Sequence, residues 1–268
     1  MLLAIDVGNT NTVLGLYRLA SEGVAAEIVA NWRITTPSRR TIDEFGMLLR
    51  NLFALKGLDM DVVDGIAISS VVPPLDSTLR QVCEIYFKVK PLLIEPGVKT
   101  GLPVLTDNPT EVGADRIVNC VAAFERFGGA CIVVDMGTAT TFDAVSKKGE
   151  FLGGAIAPGL GISADALFTR AARLPRTDVK KPAKVIGTGT VDNIQIGLYY
   201  GYIGLVDGIL ERMSAEMGPE TKTVATGGLA KLIAGGSKHI GAVDEMLTLT
   251  GLRIIYERNL ERHKRRGA

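Results

Sequence analysis

The sequence contains few of the residues that build structural metal sites and disulfide frameworks. Among its 268 residues there are only three cysteines and two histidines. Cys83, Cys120 and Cys131 form no C-x-x-C pair, and His239 and His263 lie far from them along the chain. This spacing argues against a structural zinc site and favours buried thiols in a reducing compartment.

The chain also has no excess of charge of either sign. Lys and Arg number 30, Asp and Glu number 29, and the formal net charge is +1. A protein that binds duplex nucleic acid usually carries a clear basic excess, so no nucleic-acid partner is expected. The basic stretch Arg262 to Arg266 is interpreted as a solvated end.

No apolar run reaches the length of about 20 residues that a membrane-spanning helix needs. The best candidate, Ile194 to Val206, carries no charge but is too short. At the start, Leu2 to Ile5 has no cationic leader and meets Asp6 at once, so no secretory signal is expected. The sequence therefore predicts a cytoplasmic protein that does not bind membranes.

Two common nucleotide-binding motifs are absent or out of place. No G-x-x-x-x-G-K-[ST] occurs, which argues against a P-loop kinase. The segment Gly159 to Ala164 matches G-x-G-x-x-A, but it follows Pro158 in mid-chain. The acidic residue at the expected distance, Asp178, lies in a proline-flanked stretch, so dinucleotide binding is not favoured.

One short phrase, in contrast, occurs twice, about half a chain apart. Ile5 to Thr12 reads IDVGNTNT, and Val134 to Thr141 reads VDMGTATT. An Asp-x-Gly hairpin suits phosphate because the glycine lets backbone N–H groups approach the oxyanion closely. Either copy alone is also an ordinary hairpin turn. The two together favour a nucleotide triphosphate held between two like halves.

The side chains of the two phrases suggest separate roles. A carboxylate beside a phosphate would be repelled, so Asp6 and Asp135 are predicted to act through a bound cation or water. The predicted donors to phosphate oxygens are Asn9, Thr10, Thr12, Thr138 and Thr140.

Three strands and crossover helices are predicted around each phrase. In the first half, Thr41 and Glu44 have capping-box spacing ahead of an amphipathic helix. The pattern restarts at Gly113. We therefore predict an α/β fold of two similar domains around an interdomain cleft. Residues 1–112 carry the first phosphate hairpin, and residues 113–268 carry the second hairpin and the acceptor-site helix. Helices are predicted at Asp76 to Phe87, Val191 to Met213 and Ala242 to Arg262.

The motif Gly113-Ala114-Asp115-Arg116 occupies the predicted first turn of a helix. An acidic residue there offsets the helix macrodipole, which is a purely structural explanation. Asp115 in that position is also expected to stay ionised beside the cleft, while Arg116 offers a planar fork suited to a carboxylate. The motif is therefore a candidate acceptor site.

Together with Ala225-Thr226-Gly227-Gly228, these segments resemble the type III pantothenate kinases of the acetate and sugar kinase, heat-shock chaperone and actin superfamily. The resemblance covers almost the whole chain and includes Ser69 to Pro74, Gly153 to Gly159 and Thr188 to Gln195. It implies two actin-like, ribonuclease H-like domains. It also implies ATP-dependent phosphorylation of pantothenate at its terminal hydroxyl, the first step toward coenzyme A.

The resemblance further implies roles for individual residues. Asp115 matches the family's catalytic base. Asp135 would coordinate a monovalent cation, K⁺ or NH₄⁺, which family members need beside Mg²⁺, and Asp6 is the second candidate for metal binding. The implied pantothenate contacts are Gly113, Ala114, Asp115, Arg116 and Thr190. The implied ATP contacts are Asp6, Val7, Gly8, Asn9, Thr10, Asn11, Thr12 and Thr138. A homodimer is expected, with the glycine-rich helix near Tyr199 to Tyr202 as its interface.

One departure from the family pattern keeps two alternatives open. Thr106 stands where many relatives carry Tyr shortly before the Asn-Pro pair, so a wall of the acceptor pocket is altered. The first alternative is a kinase of the same fold that acts on another small hydroxylated acid. The second is a non-catalytic nucleotide-binding regulator, because fold alone does not fix function. Asp6, Asp115 and Asp135 together favour an enzyme.

Overall fold

The computed structural model describes residues 1–21, 23–37, 39–171 and 173–266, with side chains up to residue 260. The first set of elements surrounds one five-stranded sheet. Its strands are β1 (Leu2–Val7), β2 (Asn11–Arg18), β3 (Glu27–Thr35), β4 (Gly65–Ser70) and β5 (Leu92–Leu93). Its helices are α1 (Ile42–Ala54) and α2 (Pro73–Val82), which continues into a π turn at Cys83–Phe87, with a 3-10 turn at Met60–Val62.

The second set follows a 3-10 turn at Pro109–Glu111 and the helix α3 (Ala114–Phe127). Its strands are β6 (Cys131–Met136), β7 (Ala139–Val145), β8 (Phe151–Pro158), β9 (Lys222–Thr226) and β10 (Ala242–Val243). Its helices are α4 (Leu160–Arg170), α5 (Thr190–Met217) and α6 (Ala230–Ala234), and the chain continues into α7 (Leu247–Arg266).

The two sheets have the same topology. Their strand orders are β3-β2-β1-β4-β5 and β8-β7-β6-β9-β10. In each, the strand before the Asp-x-Gly turn pairs antiparallel with the next strand and parallel with a later one. β1 and β6 also bury the same positions, with the aspartate as the partly exposed one. These matches confirm the predicted pair of similar α/β halves.

Both faces of the first sheet are covered. Leu3, Ile5 and Val7 belong to a core that includes buried residues of α1 and α2. On the opposite face, Gly15 lies against Leu249 and Gly65 against Tyr256, both from α7. The alternating side chains of β1 explain this arrangement, because successive residues of a strand point to opposite faces. Asp6 therefore shares the α7 face.

The compact units do not divide at residue 112, where the sequence predicted the boundary. Unit 1 comprises residues 1–101, 110–122 and 248–268, and unit 2 comprises residues 102–109 and 123–247. The difference arises because α7 returns to the first sheet and its Gly251 packs against Val118 of α3. The start of α3, which carries the predicted acceptor motif, consequently belongs to unit 1.

Local predictions were partly confirmed. The capping box at Thr41 and Glu44 is present, with both reciprocal hydrogen bonds formed. The helix predicted from Ala242 begins only at Leu247, because Ala242 and Val243 pair with β9 instead. The helix predicted from Asp76 begins at Pro73, where prolines fit since the first helical N–H groups have no partner within the helix.

Among the described residues, no helix combines the length and the apolar composition needed to cross a membrane.

Candidate active site

The first Asp-x-Gly turn joins β1 to β2. The Gly8 N–H donates to the Asn11 carbonyl at 3.0 Å. A Cβ on Gly8 would lie 3.1 Å from that oxygen, so the tight corner favours glycine. Asn9 and Thr10, at the tip, are exposed. The turn therefore presents polar side chains and backbone to solvent, as a phosphate-binding corner requires.

Thr12 of this turn has a different position from the one predicted. It is only 1% exposed, and its hydroxyl lies 2.8 Å from the hydroxyl of Thr36. The Thr36 N–H in turn donates to the Thr10 carbonyl at 2.9 Å. Thr12 thus ties the turn to the end of β3, and in this arrangement it shapes the corner rather than presenting a hydroxyl at its surface.

Ser69 is a residue that the sequence analysis did not single out. It pairs in parallel register with Asp6, so the two side chains share one face of the sheet. Ser69 is fully buried, and its hydroxyl has no hydrogen-bond partner among the described residues. Buried hydroxyls are normally satisfied, so an unpaired one beside a candidate cation-binding carboxylate is consistent with a bound water or ion there. The available signal was a Ser-Ser pair ending an apolar strand.

The acceptor motif lies beside the first turn within unit 1. A Cβ on Gly113 would lie 3.8 Å from a methyl group of Val71. The Val71 N–H donates to the Val7 carbonyl at 3.0 Å. The structure therefore brings Gly113, at the start of α3, close to the strand end that carries Asp6.

Asp115 is held tightly at the start of α3. Its Oδ1 accepts the N–H of Arg116 at 2.8 Å. A Cβ on Gly113 would fall 2.7 Å from the same oxygen, so the carboxylate occupies the space that a side chain at 113 would need. The Arg116 N–H is one of the unpaired donors of the first helical turn, which explains why the carboxylate settles there.

The electrostatics of Asp115 differ from the simple helix-terminus expectation. Burial raises the pKa of its carboxyl above the ordinary value of 3.8, although the N–H and the charge of Arg116 oppose that rise. Desolvation dominates because it disfavours the charged form more than these partners favour it. A carboxylate with a raised pKa is a better proton acceptor than an ordinary aspartate.

The second Asp-x-Gly turn joins β6 to β7 in unit 2. Its Gly137 N–H donates to the Ala139 carbonyl at 3.1 Å. Thr138 is exposed at the tip. The backbone of Gly159 closes one side of the turn, because its N–H donates to the Thr138 carbonyl at 3.1 Å. Thr138 thus presents its side chain at the surface of the second turn.

Thr140 does not have the predicted position. It is fully buried, and its hydroxyl hydrogen-bonds to that of Tyr202 on α5. The Tyr202 hydroxyl also donates to the Pro158 carbonyl at 3.2 Å. The prediction that Thr140 donates to phosphate is wrong for this arrangement, because in β7 alternate residues face the core and Thr140 is one of them.

Asp135 lies among other oxygen atoms. Gly227 has φ +93°, and a Cβ there would fall 2.6 Å from the Met136 carbonyl oxygen and 2.8 Å from Asp135 Oδ1. The glycine thus leaves room beside a carboxylate and a carbonyl. Carboxylate and carbonyl oxygens are the ligands that hard cations prefer, so the donor set fits a K⁺ or NH₄⁺ ion.

The residues around Asp6 fit Mg²⁺ in a different way from the oxygen atoms beside Asp135. Among the residues that the structure describes, no cluster of three or more His, Cys, Asp or Glu side chains could hold a metal. Mg²⁺ usually binds through one or two carboxylates together with substrate phosphates and water. Asp6, with the unpaired Ser69 hydroxyl beside it, fits that requirement.

Thr190, a predicted pantothenate contact, and Thr106, the departure from the family pattern, both belong to unit 2. Thr190 is exposed and opens α5 after Gly189, with no side-chain cap. The Thr106 hydroxyl is buried without a partner among the described residues, and its methyl group faces Gly153. The structure brings Asp6 and the Gly113–Arg116 motif together within unit 1. Neither of the two threonines belongs to that unit.

Comparisons of the sequence with known proteins point to one family, and comparisons of the structure show the fold. A family profile described as type III pantothenate kinase matches residues 2–212. A type III pantothenate kinase of Koribacter versatilis is 63% identical over 99% of this chain and 98% of its own length. Among solved structures, a Campylobacter jejuni protein described as a Baf family transcriptional activator has a TM-score of 0.59 at 21% identity, covering 97% of this chain and 99% of that one.

A second solved structure has the same fold. A Sinorhizobium meliloti protein described as a 2-dehydro-3-deoxygalactonokinase has a TM-score of 0.58 at 15% identity, with 96% of each chain covered. At such low identity these structures support the fold alone. The two-sheet architecture is therefore shared with both of these proteins.

Proposed function

This chain belongs to the type III pantothenate kinase family, and we propose that it transfers the terminal phosphoryl group of ATP to the terminal hydroxyl of pantothenate. The product, 4′-phosphopantothenate, is the first intermediate toward coenzyme A. The observation that carries this proposal is the placement of Asp115. It is a sequestered carboxylate of raised pKa, held beside the strand end that bears the first phosphate turn.

Asp115 acts on the acceptor in this proposal. Its Oδ1 is held by the Arg116 N–H, which leaves Oδ2 to orient the pantothenate hydroxyl and take its proton. Phosphoryl transfer proceeds through a loose transition state, so alignment matters more than strong basicity. Gly113, Ala114, Arg116 and Thr190 are the proposed pantothenate contacts, with the Arg116 guanidinium suited to the substrate carboxylate.

The nucleotide is proposed to bind through the two Asp-x-Gly turns. The backbone and polar groups of Asp6, Val7, Gly8, Asn9, Thr10 and Asn11 would bind phosphate oxygens, as would Thr138. Thr12 takes part through the shape of the turn, because its hydroxyl is paired with Thr36. Mg²⁺ held near Asp6 would supply neutralisation of charge that develops on the phosphates.

The monovalent cation is proposed to lie beside Asp135. The carboxylate, the Met136 carbonyl and the space left by Gly227 support that placement. A K⁺ or NH₄⁺ ion there would add positive charge close to the ATP phosphates. We also propose a homodimer, with the glycine-rich face of α5 at its interface, and a cytoplasmic location, where ATP is available.

An acceptor panel tests the proposal. The protein is incubated with ATP, Mg²⁺, K⁺ and either pantothenate or one of several other small hydroxylated acids, and ADP is measured directly by chromatography. Direct measurement avoids coupling enzymes that have their own K⁺ requirement. We expect ADP formation to depend on pantothenate.

The panel also distinguishes the two alternatives. Preference for another hydroxylated acid would replace pantothenate as the substrate, a possibility motivated by Thr106. ATP binding without consumption, whatever acceptor is added, would favour a nucleotide-binding regulator instead.

A further inference from the structure

A cavity of about 390 Å³ lies at the N-terminal ends of α1 and α2 in unit 1. Arg39, Arg40, Thr41 and Glu44 line one part of it, and Pro74, Leu75 and Thr78 line another. We refer to it as the arginine pocket. Its volume is within the range of roughly 300–1,000 Å³ that small-molecule sites occupy. The proposed function assigns no role to these residues.

Arg40 is the most informative residue of the pocket. One of its guanidinium nitrogens, Nη1, is buried and has no hydrogen-bond partner among the described residues. Its guanidinium carbon lies over the Phe45 ring, 5.4 Å from the ring centroid, in a cation–π contact. The Glu44 carboxylate lies in the same pocket, and its pKa is lowered by its hydrogen bonds to Thr41 and by the charge of Arg40. Arg40 Nη1 still has no acceptor among the described residues, and buried charged donors are normally paired, so it can bind an acceptor oxygen of a ligand.

At the two helix starts that line the pocket, several backbone N–H groups are absent or already paired. α2 begins with Pro73 and Pro74, which have no N–H, and the Leu75 N–H donates to the Val72 carbonyl. At the start of α1, the Glu44 carboxylate and Thr41 satisfy each other in the capping box. Among the side chains that line the pocket, the two guanidiniums and the Thr78 hydroxyl are therefore the donors that a ligand can use.

The chemistry of these donors selects the ligand. Two guanidiniums can each form paired hydrogen bonds to a phosphate, which has more acceptor oxygens than a carboxylate. Pro74 and Leu75 add an apolar wall, and a cavity with room for on the order of a dozen waters exceeds what one phosphate ion fills. The pocket thus suits a phosphate group with a small organic part.

The arginine pocket lies at the same end of the first sheet as the phosphate turn. Thr36, three residues before Arg39, bonds through its hydroxyl to Thr12 and through its N–H to Thr10. On the other side, Pro73 and Pro74 follow β4, whose end is tied to Val7 through Val71. The core between α1 and α2 lies on the opposite face of the sheet from Asp6, so the pocket is separate from the turn's catalytic face.

We propose that the arginine pocket is a second anion site of this protein, which binds the phosphate group of a small phosphorylated molecule through Arg39 and Arg40. The site is independent of the ATP site and of pantothenate. Its existence does not rest on the proposed kinase activity.

Binding of inorganic phosphate and of phenyl phosphate tests this proposal. Both are titrated by ³¹P NMR or calorimetry into the full-length protein saturated with Mg²⁺ and a nonhydrolysable ATP analogue, so that the phosphate turns are occupied. We expect one further phosphate to bind. Arg39→Ala, an exposed position, should weaken it by about tenfold or more, because each lost charge-assisted bond is worth that factor.

Two variants make the test specific. Arg40→Met keeps an apolar stem over Phe45 and removes the charge, so it should weaken phosphate binding by about the same factor while the protein stays folded. Arg50→Ala removes an exposed arginine of α1 outside the pocket and should leave binding unchanged. Tighter binding of phenyl phosphate than of phosphate supports a phosphomonoester ligand, and equal binding supports the free ion.

Two results would overturn the proposal. One is the loss of all phosphate binding once the ATP analogue is bound, which would place the anion at the phosphate turns. The other is unchanged binding in both Arg39→Ala and Arg40→Met, which would separate the arginines from the anion.

Discussion

Gly113 and the carboxylate of Asp115 occupy adjoining space, such that a Cβ at 113 would lie 2.7 Å from Asp115 Oδ1. This distance is shorter than real Cβ atoms tolerate, so either the carboxylate or the start of α3 would have to move. The absence of a side chain at 113 is therefore a condition for the observed position of the proposed base.

The first prediction follows from that contact. Gly113→Ala should lower kcat by about 10- to 100-fold, because displacing a reacting group by an ångström can cost that much. Steady-state kinetics with pantothenate and ATP measures the effect. Gly129→Ala is the matched control, since its Cβ would meet only the Phe127 carbonyl, at 4.0 Å. Equal kcat in both variants would show that the Asp115 position is not critical.

The second prediction concerns pH and activity. Because burial raises the pKa of Asp115, the acid limb of the kcat/KM profile should lie above 3.8, the ordinary value for aspartate. Activity is lost as pH falls through the raised pKa, because the protonated carboxyl cannot accept the hydroxyl proton. A rate profile from pH 4 upward checks this, and a profile that shows no acid limb in that range would contradict it.

The same shift predicts a dependence of stability on pH. A raised folded-state pKa favours the protonated form, so the stability it contributes is present at low pH and is lost as pH rises through that pKa. Asp115→Asn should therefore be more stable than the wild type at neutral pH, with the difference shrinking in acid. Urea denaturation at several pH values measures it, and a constant difference would argue against a raised pKa.

The third prediction separates two threonines of the second turn. Thr138→Ala should raise the KM for ATP with little change in stability, because Thr138 is exposed at the tip. Thr140→Val should instead lower the free energy of unfolding by about 1–3 kcal/mol, because it leaves the buried Tyr202 hydroxyl with one partner fewer. Kinetics and denaturation of both variants check this contrast. If only Thr140→Val raised the KM for ATP, Thr140 and not Thr138 would be assigned to ATP binding.

Features that depend on residues close together in the sequence could be predicted from it. Features that depend on contacts between distant residues could not. The repeated phrase predicted both hairpins and the paired sheets, because strand alternation and Asp-x-Gly corners are local patterns. Thr140 was misassigned because its partner, Tyr202, lies 62 residues away on α5. The domain boundary was displaced for the same reason, since α7 returns to the first sheet.

The raised pKa of Asp115 also could not be predicted from the local sequence. A helix N-terminus favours an ionised Asp115, and the sequence supports that expectation. Burial overrides it, and burial depends on residues brought together only by the fold. Ser69 was overlooked because its unpaired hydroxyl is visible only once β4 is placed beside β1.

The fourth prediction tests the cation site. Replacing K⁺ by Na⁺ should sharply reduce kcat, and Asp135→Asn should lower the rate in K⁺ to about the rate in Na⁺, because the variant loses a charged ligand. ADP is again measured directly. An Asp135→Asn variant that responds to K⁺ as the wild type does would place the cation elsewhere.

The most direct test of the central claim follows the phosphoryl group itself. The wild type and Asp115→Asn are each mixed with pantothenate and ATP labelled in its terminal phosphate, and the labelled products are identified by chromatography and mass spectrometry. We expect the wild type to place the label in 4′-phosphopantothenate, in amounts equal to the ADP formed. We expect Asp115→Asn to remain folded and to place almost no label there. Label found only in inorganic phosphate, or full transfer by Asp115→Asn, would contradict the central claim.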